Sequence, residues 1–165
     1  MSVSVAYTSK ATVTETLENN TGSFAASSDG KVTHNDHDLT ATYSAATTPP
    51  VTKIAAFTTT LTAGTASIDM TSMTGTNGAT VDASGLKLQV AKFSAPSTNA
   101  NTFTVAVGTT NGYEFNGANF NIALSPGAEA LFMANDAAPD VAAGAKTFDL
   151  SGTAAQTLDC VLVFG

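Results

Sequence analysis

The sequence predicts an all-β protein: an antiparallel β-sandwich, jelly-roll or Greek-key like, with an N-terminal β-rich arm or small subdomain. Three observations carry that expectation. Apolar and polar residues alternate with a period of two along much of the chain, most clearly where Phe120, Ile122 and Leu124 interleave with Asn119, Asn121 and Ala123. Asn-Gly, Asp-Gly, Ser-Gly and Pro-Gly pairs punctuate these runs every roughly eight to twelve residues, the rhythm of a sandwich. The composition agrees, because only 12% of residues are charged, about half the usual one-quarter of soluble domains. Thr, Ser and Asn carry the polarity instead, and β-branched, Gly-punctuated sequence suits pleated sheets better than helices.

Taken in order, Val3, Val5 and Tyr7 alternate with small polar residues as a first strand, and residues 10–17 form a weaker second one. Glu18-Asn19-Asn20-Thr21-Gly22 is turn chemistry, since Asn and Gly tolerate positive φ. A short strand at 23–28 carries Phe24, and Asp29-Gly30 marks a hairpin turn into 31–33. The polar run 34–38 reads as a loop, followed by a strand through Leu39 and Tyr43. Ala45-Ala46-Thr47-Thr48-Pro49-Pro50 is the predicted linker, because consecutive prolines favour polyproline II and exclude regular pairing. It divides the chain into residues 1–48, an arm or small β subdomain, and residues 49–165, the sandwich body.

Within the body, strands are predicted at 53–62, 66–70, 86–93, 103–107, 112–115, 120–124, 130–133, 147–150 and 157–164. Turns fall at Ala63-Gly64, Gly75-Thr76-Asn77-Gly78, Ser84-Gly85, Asn111-Gly112 and Ser151-Gly152, and Ser125-Pro126-Gly127 separates two strands sharply. The Ala-rich stretch 134–146 is expected to be a loop with one helical turn. The last strand is distinctive: Leu158, Cys160, Leu162 and Phe164 alternate with Asp159, Val161 and Val163. Both of its faces are nearly apolar, so it must be covered on both sides. The nine phenylalanines are expected in the core.

Charge and motif content exclude several functions. Thirteen acidic residues face six lysines and no arginine, for a net charge of −7, and the lysines are spread singly. Phosphate neutralisation needs clustered cations, so nucleic acid is not an expected partner. No run approaches the roughly 20 apolar residues of a membrane helix. The N-terminus shows no basic and apolar leader, which predicts synthesis in a cytoplasm without a membrane partner. The single cysteine, Cys160, excludes an internal disulfide and reads as a small buried hydrophobe.

The one cluster with metal-ligand chemistry is His34-Asn35-Asp36-His37-Asp38. His34, Asp36 and His37 are suitable donor types for zinc, nickel or manganese, but on a strand an i, i+3 pair diverges. Asp69, Asp82, Asp136 and Asp140 lie near loops without the spacing of a calcium cage. Glu15, Glu18, Glu114 and Glu129 are not paired by any pattern, and no Gly-x-Ser-x-Gly elbow is present. The reading is therefore a non-enzymatic protein with no catalytic residue, cofactor or resident metal.

The segments 120–132, Phe148-Asp149-Leu150-Ser151-Gly152-Thr153-Ala154 and Leu158-Asp159-Cys160-Val161-Leu162-Val163-Phe164-Gly165 together resemble small virion proteins of tailed bacteriophages. That group includes capsid decoration or cement proteins with jelly-roll-like sandwiches. The resemblance covers roughly residues 53–165, is one of pattern, and carries over no binding residue. It implies a structural virion protein on the capsid surface that binds the major capsid protein or other virion proteins as a homo-oligomer, dimer or trimer. Residues 1–48 would then clamp a neighbour, since weak contacts multiply under symmetry. The alternative is a receptor- or glycan-binding tip of a tail fibre or adhesin, with specificity carried by the 75–78 turn and the 96–101 loop.

Overall fold

The computed structural model describes residues 3–17, 30–75, 78–133 and 136–165, with side chains described outside 9–17 and 30–39. Strands account for all of the regular structure among the described residues, and no helix is present there. The chain forms two compact units, one from Met1–Val5 with Tyr43–Gly165 and the other from Ala6–Thr42. The smaller unit is a two-stranded ribbon in which β1 (Ser4–Leu17) pairs with β2 (Gly30–Ser44). Where two strands were expected before residue 18, and a strand at 31–33, a loop and a further strand after residue 30, β1 and β2 are each a single long strand. The polar run 34–38 is accordingly part of β2 rather than a loop, because the ladder continues through it. The predicted strand at 23–28 lies outside the described residues.

The larger unit is built from β3 (Lys53–Thr60), β4 (Thr65–Asp69), β5 (Met73–Thr74), β6 (Thr80–Val81), β7 (Leu88–Ser94), β8 (Phe103–Val107), β9 (Asn121–Leu124), β10 (Glu129–Met133), β11 (Thr147–Ser151) and β12 (Thr157–Phe164). They form two four-stranded antiparallel sheets, ordered β10-β7-β12-β3 and β4-β11-β8-β9, while β5 pairs only with β6. Apart from β5 and β6, the pairing is nested: β3 lies on β12, β4 on β11, β7 on β10 and β8 on β9. The first four strands thus pair with the last four in reverse order, and the chain shuttles between the sheets as it does so.

The alternation read from the sequence decides which side chains enter the space between the sheets. From β12, Leu158, Cys160, Leu162 and Phe164 join the main core with Phe93, Phe103, Val105, Phe148 and Leu150. Phe148 is the hub, with Phe93, Tyr113 and Phe115 edge-on at centroid distances of 6.0, 5.8 and 6.4 Å. Offset and edge-on arrangements like these suit the aromatic quadrupole. The opposite face of β12 is also covered, as its composition required. Val163 and Val90 are buried with Val3 and Val51, and Val5, Tyr43, Ile54, Leu131, Met133 and Val161 pack around them. Fully burying one such side chain stabilises the fold by about 1.5–3 kcal/mol.

Three local expectations are corrected. Residues 112–115 form no strand, although Gly112 and Phe115 make isolated bridges. Asn111 is left-handed, with φ of 54°, and a side chain on Gly112 would collide with the Gly108 carbonyl. The chain therefore bends there, while Tyr113 and Phe115, two positions apart, still enter the core together as they would from one face of a strand. The described part of 134–146 holds tight turns and short bridges such as Ala142↔Ala145, and no helical turn. Residues 45–50 fold back as a bend instead of extending. The Thr47 hydroxyl donates to the Ser44 and Pro49 carbonyls at 2.8 and 2.9 Å, and the Val51 N–H returns to Ser44 at 3.0 Å.

Candidate functional site

His34, Asp36 and His37 all fall on β2, where the backbone is described and the side chains are not. Among the described residues, no group of three or more His, Cys, Asp or Glu side chains converges. The aspartates near loops serve their own turns. Asp82 Oδ1 accepts from the Ser84 N–H and hydroxyl at 2.8 and 2.6 Å. Asp136 Oδ1 lies 3.3 Å from Lys87 Nζ and accepts from Gln89 Nε2 at 3.2 Å. Asp140 is joined to Lys87 by a backbone bridge. Asp69 accepts from Lys146 Nζ at 2.6 Å and from the Thr71 N–H and hydroxyl at 2.9 and 2.7 Å. Burial alone would raise the Asp69 carboxyl, but the bonds from Lys146 and Thr71 outweigh it and hold it below the usual value.

The Ser94 hydroxyl and Lys92, 3.2 Å away, hold Glu129 below its ordinary value. Glu114 is exposed, and Glu15 lies on β1. Cys160 is 1% exposed, and burial first, then the neighbouring Asp159 charge, pushes its thiol up to about 12. At neutral pH it is therefore a protonated hydrophobe rather than a nucleophile. The 96–101 loop is pinned to the body, because Asn99 exchanges hydrogen bonds with the Thr157 backbone at 2.8 and 3.0 Å.

What the sandwich does offer is its two flanks. On one side the edge strands β3 and β4 leave an open groove of about 540 Å³, closed at one end by residues 72–75. Phe57, Ile68 and Met73 give it an apolar floor, and Thr58, Thr59 and Ser67 a hydroxyl rim. Its only ionisable lining residue among those described is Asp69, already engaged by Lys146. On the other side, by β9 and β10, a hollow of about 390 Å³ is lined by Phe120, Ile122 and Phe132 under the carboxamides of Asn116, Asn119 and Asn121.

Both are shallow, and among the described residues neither gathers the acid and base that proton transfer requires. Sequence reasoning missed both, because each opens between consecutive strands that belong to different sheets, and sheet membership is not written in the local alternation. The one signal in reach was the charge-free run from Ile54 to Thr62, which ends on a tight turn. No family model, curated protein or solved structure matches this chain.

Proposed function

We propose that this chain is a structural virion protein, a capsid decoration or cement protein that binds and stabilises a phage head lattice. One observation carries the reading. Eight antiparallel strands pair in nested order across two sheets, the connectivity of a jelly roll, a fold common in viral capsids. A stiff sandwich with open edges and a separate two-stranded ribbon is equipped to bind through repeated contacts rather than to turn over a substrate. Its partners are the major capsid protein and further copies of itself, and its working place is the capsid surface, after synthesis in the host cytoplasm.

The test is to raise antibodies against the purified chain and label intact particles for electron microscopy. Regular labelling over the heads is the expected outcome. Labelling confined to tail tips, or none on particles, would overturn the reading. The second reading, a receptor- or glycan-binding tip of a tail fibre or adhesin, draws on the hollow by β9 and β10. There, phenylalanine rings and exposed carboxamides lie together as polyhydroxyl ligands require. Tip-only labelling would favour it.

A further inference from the structure

We propose that β3 is a self-association edge. Two copies of this chain pair antiparallel through the Ala56–Thr60 half of β3 about a two-fold axis at Thr58, joining two four-stranded sheets into one of eight strands.

The argument begins with the hydrogen bonds. At the head of the β3·β12 ladder the Leu61 N–H donates to the Gln156 carbonyl at 2.9 Å, and the register runs without a shift from Thr60↔Thr157 to Lys53↔Phe164. Antiparallel bonding alternates along a strand. The odd-numbered residues of β3 therefore bond to β12, and Ile54, Ala56, Thr58 and Thr60 direct their N–H and C=O groups to the outer edge. No other strand of the described residues pairs with that edge.

β3 is also the longest of the four edge strands. The other edge strands, β4, β9 and β10, have five, four and five residues, whereas β3 has eight. Natural edges are blunted by lysine, proline, bulges or brevity. Here one lysine guards one end, with Lys53 Nζ donating to the Asp82 carbonyl beyond β6. From Ile54 to Thr60 there is no charge, proline or bulge. The β5–β6 hairpin approaches β3, and among the described residues a groove still separates Ala56–Thr59 from residues 72–75.

Charge and symmetry select a second copy as the occupant. A chain of net charge −7 repels its own kind over most of its surface, but Asp69, the carboxylate that lines this groove among the described residues, is neutralised by Lys146 at 2.6 Å. Asp159, which accepts from the Thr58 hydroxyl at 2.6 Å, would stand three strand spacings from its mate. That is about 14 Å, beyond the screening length of about 8 Å at physiological salt. The register is self-complementary: Thr58 meets Thr58, Ala56 meets Thr60, and Phe57 meets Thr59 on the groove side. Each contact occurs twice, as an isologous interface demands.

The test uses the purified full chain and is independent of the virion reading, which is tested on particles. Sedimentation equilibrium over a concentration series is expected to give twice the 16.6 kDa chain mass. Thr58→Lys, which sets like charges opposite each other across the axis, is expected to halve it. Oxidation of Thr58→Cys is expected to give a covalent dimer, because facing Cα atoms about 5.5 Å apart fall within disulfide reach of about 4.4–6.8 Å. Buried Cys160 does not compete, and Thr104→Cys on the other sheet serves as the uncrosslinked control. A wild type of single-chain mass, or a trimer, would overturn the proposal. So would an unchanged dimer in Thr58→Lys or the absence of crosslinking in Thr58→Cys.

Discussion

Tyr113 joins a loop to the start of β7 through one hydroxyl. Its O–H donates to the Pro139 carbonyl at 2.6 Å and accepts from the Leu88 N–H at 3.1 Å, with the ring fully buried against Phe115 and Phe148. Tyr113→Phe keeps the ring and orphans two buried backbone groups, so a loss of about 1–3 kcal/mol is expected in urea denaturation. Burial pushes the phenol up to about 12 from an ordinary 10. A raised acid favours folding below its unfolded value and loses that contribution as pH climbs. The wild type should therefore weaken from about pH 10 upward more steeply than Tyr113→Phe. Asp69 has the opposite sign. Held below 3.8, it contributes above that pH, and the contribution disappears as the carboxylate protonates in acid. The pair is partly exposed, so about 0.3–1 kcal/mol is the expected scale. Asp69→Asn should flatten the acid limb of a stability–pH curve by that amount.

At the scale of elements, the hairpin between β3 and β4 shows how turn chemistry limits a strand. Thr62 and Thr65 exchange backbone bonds at 3.0 and 3.1 Å around Ala63 and Gly64, whose φ angles are 51° and 87°. Two successive positive φ values make a two-residue turn whose twist matches the strands it joins. Gly64 suits its place, and a side chain there would press on the Gly152 carbonyl at 2.8 Å. Ala63 does not, because the left-handed region costs an L-residue about 1–2 kcal/mol. Ala63→Asn is therefore expected to stabilise the protein by about 0.5–1 kcal/mol, read as a raised melting temperature. A neutral or lower value would mean that the turn is held by its surroundings rather than by its own residues.

For the whole molecule, the division between the two compact units falls within β1 and β2. Val3, Val5 and Tyr43 belong to the apolar cluster on the outer face of the β10-β7-β12-β3 sheet, and the remaining Ala6–Thr42 segment is a compact unit of its own. Replacing residues 6–42 with a short turn should leave a folded body with nearly the wild-type melting temperature. Removing residues 1–48 uncovers Val90 and Val163 and should cost at least the burial of Val3, about 1.5–3 kcal/mol. Calorimetry of the two truncations separates these outcomes, and equal stability would show that the cluster contributes nothing. If the chain decorates capsids, the first truncation should fold and fail to assemble.

Local alternation and turn chemistry were enough to place nearly every strand of the body and to require that β12 be covered on both faces, because side-chain direction along a strand follows from its period alone. They also marked Ala63-Gly64 and Ser125-Pro126-Gly127 as turns, since left-handed and proline-fixed geometries belong to few residues. Residues 112–115 escaped, because the left-handed Asn111 turns the chain there and the pairing that holds Gly112 and Tyr113 is to the Thr147 backbone, more than thirty positions away. The small strands β5 and β6 are too short to show a period. The flanks depend on sheet order, which brings β3 beside β4 on one side and β9 beside β10 on the other. Strand order arises from which long-range pairings bury the most surface together. That is a property of the packed chain, and no local window of residues contains it.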